Sequence, residues 1–175
     1  IQWCLMLITL PVMAVICHHA LERGAFAAFA LLLPYLMFSI LPFNIMSWNA
    51  FPGVDGFAYF NRHSAVLLYL LIATLFFVRS RAALIGLVSV LLLSLAFVKI
   101  NGFAVAGLIL AFALATRRIG IATSAIIAAL CLSIAAGLEL FTGSVSAYLH
   151  SALRLLANNE SVLLSKLVTT VSARF

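Results

Sequence analysis

Long apolar runs alternate with short polar breaks over most of the chain. The runs cover about Ile1–Cys17, Ala25–Leu41, Ser64–Val78, Ala82–Val98, Phe103–Ala115 and Ile119–Phe141. A helix that crosses a bilayer needs about 20 mainly apolar residues. The pattern therefore predicts about six spans, several of them short. The breaks are the clip His18, His19, Glu22, Arg23, Gly24, the long stretch Pro42–His63, the pair Arg79 and Arg81, the turn Lys99, Asn101, Gly102, and Thr116, Arg117, Arg118. Pro34 falls inside the second run, where it removes a backbone hydrogen bond and predicts a kink.

After Phe141 the pattern changes. Val145, Leu149, Leu153 and Leu156 recur at helical spacing, with Ser151 and Arg154 off that stripe. Beyond the break at Asn158, Asn159 and Glu160, a second stripe holds Leu163, Leu164, Leu167, Val168 and Val171. Ser161 is placed to cap it. Both segments are too short and too polar to span, so they predict amphipathic helices at the membrane surface. The expected fold is all-α: a polytopic transmembrane helix bundle of about six spans over residues 1–143. Two amphipathic interfacial helices follow over residues 144–175, at the start of an outer loop.

Composition agrees. Of 175 residues, 66% are hydrophobic and 8% charged, against roughly 45–50% and 25% in soluble domains. A mean hydropathy of +1.28 excludes a disordered chain, a disulfide scaffold and an ordinary soluble domain. The net charge is +6, but the basic residues are scattered between apolar runs. That distribution fits membrane topology and not a nucleic-acid face. In the short loops Arg23, Arg79, Arg81, Arg117 and Arg118 fall on one side, Arg62 and Lys99 on the other. The first side is expected to be cytoplasmic. The stretch Pro42–His63, the Lys99 turn and the C-terminal stretch then share the outer face. Cys4, Cys17 and Cys131 sit in apolar runs and read as small buried hydrophobes. A start at Ile, no leader pattern and a finish at Ala173-Arg174-Phe175 lead us to expect an internal fragment of a longer protein.

Phosphate-binding loops, dinucleotide fingerprints, zinc-protease helices, nucleophile elbows and paired metal-binding acids do not occur in the sequence. His18 and His19 are neighbours, about 100° apart on a helix, so they read as part of a turn and not as a metal pair. Glu139 lies near the outer end of the sixth run, where an acid is either functional or snorkels to the interface. The outer face holds the informative set: Arg62, Lys99 and Arg174, with His63 beside Arg62. Three converging cations suit a diphosphate, which arginine grips with paired hydrogen bonds. Spacing by itself favours the plainer role of anchoring helix ends at the headgroups.

The stretch Gly56-Phe57-Ala58-Tyr59-Phe60-Asn61-Arg62-His63-Ser64-Ala65 resembles the Gly-x-Phe-x-Asn-x-Asn loop of bacterial O-antigen ligases and O-antigen polymerases. In that family the loop is periplasmic. A span, a basic cytoplasmic turn, a second span and a Ser-Arg-Gly turn follow. A further basic turn and span then lead into a large periplasmic loop with amphipathic helices. The order here is similar: Arg79/Arg81, Lys99-Ile100-Asn101-Gly102, Arg117/Arg118, then the C-terminal stretch with Arg174. The likeness runs from Gly56 to Phe175. Asn101 stands at the turn arginine, with Lys99 two residues earlier as a substitute, and His63 stands at the second Asn.

The resemblance implies an inner-membrane glycosyltransferase that moves a glycan from undecaprenyl diphosphate to a periplasmic-side acceptor. That acceptor would be lipid A core, an O-antigen chain or a protein. It implies a diphosphate site of Arg174, Lys99, Arg62, His63 and Asn101, with no metal and no cofactor. The family's catalytic histidine would lie beyond Phe175, since His150 comes too early. The alternative is a transporter, permease or structural membrane subunit without covalent chemistry. The scarcity of polar residues within the runs weighs against transport.

Overall fold

The computed structural model describes residues 2–40, 56–151, 153 and 154. Among the described residues the chain is helical with no strand. The helices are α1 (Gln2–Leu21), α2 (Ala25–Ile40), α3 (Gly56–Phe77), α4 (Arg81–Val98), α5 (Ile100–Ala115) and α6 (Ile121–Thr142). A further helical stretch covers 144–151. Runs this apolar carry no side chains to satisfy the backbone, so the helix's own ladder must do so.

Local chemistry ends the helices. Gly24, at φ +119°, turns the chain after α1, with Arg23 N and Gly24 N donating to Ala20 and Leu21 carbonyls at 2.9 Å. Ser80 caps α4, its hydroxyl accepting from Ala83 N. Thr116 closes α5 by donating its hydroxyl to Phe112 O at 2.9 Å, and Arg117 follows at φ +56°.

The chain divides into two compact units, Ile1–Leu132 and Ser133–Phe175. In the first, α3 is central and packs against α1, α2, α4 and α5. Its Leu67, Leu70, Leu71 and Thr74, and Val78 just past its end, have no exposed surface. Met13, Ile16 and Tyr35 close the core from α1 and α2; Val88, Leu91 and Leu95 close it from α4. Hydroxyls tie these helices together. Thr9 Oγ1 and Tyr35 Oη lie 3.0 Å apart and buried, and Tyr69 Oη donates to Leu31 O at 2.7 Å. The latter bond falls one residue from the Ala30 carbonyl, which Pro34 leaves without a helical donor. Ile127 of α6 is buried, and Cys131 Sγ donates to Ser89 O at 3.8 Å.

Six spans were expected, and among the described residues that number is met in part. Three helical segments are long and apolar enough to cross a membrane: Phe60–Phe77, Arg81–Val98 and Ile121–Thr142. The apolar helices Leu5–Leu21, Ala25–Ser39 and Ile100–Ala115 are shorter. Sixteen residues, the length of α2 and of α5, rise about 24 Å at 1.5 Å each, short of a hydrocarbon core about 30 Å thick.

Two breaks also differ from expectation. Helix α3 begins at Gly56, eight residues before the expected start at Ser64, because nothing from Phe57 to His63 breaks a helix. Polarity marks where the apolar run starts, not where the helix does. The turn over Lys99, Asn101 and Gly102 shrinks to Lys99 alone, extended at φ −162°, ψ 117°. Gly102 lies in the first turn of α5, where it meets α3. A Cβ built there would sit 2.7 Å from Ser64 Oγ. The glycine serves close approach and not a turn. His18 and His19, expected in a polar clip, form the last turn of α1.

In the second unit, Gly143 at φ +60° separates α6 from the stretch 144–151. Glu139 reaches across it. Its Oε2 accepts from Val145 N at 3.0 Å and Ser146 N at 2.9 Å. This carboxylate caps a helix start. The expected helix from Ser161 and the end of the stripe through Leu156 lie outside the described residues.

Candidate functional site

The side-chain bonds separate the two ends of the first unit. At one end α2 finishes, α3 begins, and α4 passes into α5. Lys99, between α4 and α5, donates its Nζ to Asn61 Oδ1 in the second turn of α3. Arg62 Nε donates to Phe38 O, near the end of α2, at 2.6 Å. His63 follows on α3 and is buried, 9% exposed. Arg62 and His63 line one cleft with Thr9 and Ser39, floored by Leu5, Met6 and Val66. Its volume is about 40 Å³. That space takes a few waters and falls well below the roughly 300–1,000 Å³ of small-molecule sites.

The backbone holds Lys99 as firmly as its side chain does. Lys99 N donates to Leu95 O at 2.9 Å, and Phe103 N donates to Lys99 O at 3.1 Å. Lys99 thus belongs to both helix ends, and its ammonium returns to α3. Asn101 is exposed in the first turn of α5, two residues on. Of the five expected diphosphate contacts, Arg62, His63 and Lys99 gather at this end, with Asn101 on its rim. Arg174 lies outside the described residues, as does the stretch 41–55 of the expected outer loop.

Sequence reasoning passed over Asn61 as a site residue, although it is the side chain that Lys99 meets. The loop resemblance sets Asn61 at its first Asn, but nothing local pairs it with Lys99, 38 residues away in sequence.

The opposite end carries Arg23, Arg79, Arg81, Arg117 and Arg118. Two of these have specific work. Arg23 Nη2 donates to Phe76 O at 2.9 Å, with its guanidinium 4.8 Å from the Phe77 ring centroid. Arg118 donates through Nε to Leu75 O and through Nη2 to Val78 O, the latter at 3.0 Å. These carbonyls end α3, so two arginines from distant turns supply the donors and the positive charge that its C-terminus lacks. Together the two sets of bonds show the up-and-down course of the helices. The turns after α1, α3 and α5 share one end, and the turn after α4 shares the other with the end of α2 and the start of α3.

Among the described residues, no group of three or more His, Cys, Asp or Glu side chains gathers as a metal site would. The nearest pairing at the arginine-rich end is His19 Nδ1 to Glu22 Oε1, at 3.6 Å.

Among the described residues, the fold and this geometry are all-helical, with three helices long and apolar enough to cross a membrane. Compared with known families, curated proteins and solved structures, the chain matches none.

Proposed function

We propose that this chain is part of a bacterial inner-membrane glycosyltransferase resembling the O-antigen ligases and polymerases. It would span the membrane several times and transfer a glycan from undecaprenyl diphosphate to a periplasmic-side acceptor. One observation carries the reading: Asn61, Arg62, His63 and Lys99, from separate stretches of sequence, meet at one end of the bundle. Cations fixed there suit the charge that develops on a departing diphosphate. Preorganised charge at the leaving group does most to lower the barrier in a site of this kind. Arg174 completes the set in the resemblance, and no metal is required.

The test uses the full-length protein in membranes charged with lipid-linked glycan. Arg174→Ala is expected to abolish transfer with normal abundance, and Arg174→Lys to transfer poorly, because lysine cannot pair two hydrogen bonds to a diphosphate. One hydrogen bond to a charged group is worth roughly 1.5–3 kcal/mol, about one to two decades in rate. Lys99→Ala is expected to slow transfer to a similar degree. Wild-type transfer by both alanine variants sinks the proposal.

A second reading, a transporter, permease or structural membrane subunit, has an observation in its favour. Arg62 and Lys99 spend donors on Phe38 O and Asn61 Oδ1 of the chain itself. On that reading the same substitutions lower abundance and leave no transfer to lose.

A further inference from the structure

A long groove runs between the second half of α3 and the body of α5, away from the Lys99 end. Its walls are apolar: Ile72 and Phe76 from α3, Val105, Leu108 and Phe112 from α5. Its volume is about 850 Å³. Leu108 is 72% exposed and Phe112 is 70% exposed. Thr116, Arg117 and Arg118 close one end.

Charge at that end is unbalanced. Five arginines occupy the three turns there, and Glu22 is the only acid in those turns; it faces His19. Arg118 has its donors on α3. The Arg117 side chain makes no hydrogen bond or ion pair among the described residues, and a φ of +56° sets this residue at the groove mouth as α5 ends. Thr116 turns its hydroxyl inward to Phe112 and Ala113 carbonyls.

The dimensions fit one leaflet. From Val105 to Thr116 the chain climbs eleven residues, about 17 Å at 1.5 Å each, against about 15 Å for half of a hydrocarbon core about 30 Å thick. We infer that this groove binds an anionic phospholipid, its acyl chain lying along α5 and its headgroup on Arg117. The apolar walls take any chain of that length, and the arginine selects negative charge. The site lies at the end remote from Lys99 and is independent of glycan transfer.

The test places a reporter in the groove. The full-length protein carries Phe112→Trp with Trp3 and Trp48 replaced by Phe, in nanodiscs of phosphatidylcholine and phosphatidylglycerol. Bromine on the acyl chains of one lipid or the other quenches the tryptophan when that lipid is seated. Phosphatidylglycerol is expected to be preferred about fivefold, the ratio that one basic residue near the surface gives an anionic lipid. Arg117→Gln should bring the ratio to one and Arg117→Lys should keep it. Equal quenching by both lipids overturns the site, as does a preference that survives Arg117→Gln. Quenching by neither lipid means that protein fills the groove, and overturns it as well.

Discussion

Replacing Gly102 with alanine tests the closest approach between α3 and α5. The new Cβ would lie 2.7 Å from Ser64 Oγ, 3.3 Å from Ser64 Cβ and 3.1 Å from Leu95 Cδ2. Two of these neighbours belong to a short side chain on a central helix, so little can yield. Inserting a methyl into a packed site costs about 1–3 kcal/mol. Against it stands a helix-propensity gain of about 1 kcal/mol from removing a glycine. Gly107, also in α5, supplies the control, because a Cβ there meets nothing within 4 Å. Gly107→Ala should therefore stabilise by about 0.5–1 kcal/mol. Gly102→Ala should fall about 1–3 kcal/mol below it, the cost of overpacking alone.

Ser64→Ala refines the test. The Ser64 hydroxyl is buried without a hydrogen-bond partner, so its removal alone should cost little. In the Gly102→Ala background it deletes the 2.7 Å contact and should restore more than half of the loss. The assay is equilibrium unfolding of the full chain in mixed micelles, read as a double-mutant cycle. Equal stability of Gly102→Ala and Gly107→Ala refutes the close approach. Additivity of Gly102→Ala and Ser64→Ala refutes the identity of the contact.

Arg118→Ala should cost about 1.5–3 kcal/mol, the worth of charge-assisted bonds at a helix C-terminus, with Arg118→Lys recovering less than half. The midpoint of thermal unfolding in detergent reports both, and an unchanged Arg118→Ala midpoint removes the capping role. Reporters fused after Arg81 or Arg118 should read as cytoplasmic and one after Asn158 as periplasmic; reversal of all three inverts the orientation and moves the lipid groove to the outer leaflet.

Helix positions were legible where apolarity and helix coincide. The run Ala82–Val98 differs from α4 by one residue at its start, and the run from Ala25 starts where α2 does. They parted where polar residues continue a helix. Asn61, Arg62 and His63 interrupt the apolar run but not α3, and His18 and His19 do the same in α1. Hydropathy reports the solvent a residue prefers, and backbone geometry depends on breakers, of which these stretches have none. The candidate site was legible in part. Arg62, His63 and Lys99 were marked by charge at one expected face, while Asn61 acquires its place only through α3 and α4 packing side by side. The basic turns read correctly as a charge bias, yet nothing local distinguishes Arg23 and Arg118, which bond to α3, from Arg79, Arg81 and Arg117. That difference comes from which turn stands over the end of α3.

The Glu139 carboxylate has a consequence for the order of folding. Its bonds to Val145 and Ser146 span six and seven residues, and loops of about ten residues close in roughly 10–100 ns. No distant partner is needed. The bend at Gly143 can therefore form while later segments are still being synthesised. The exit direction of the chain after α6 is a local decision, taken early and carried by one acid, one glycine and two amide hydrogens.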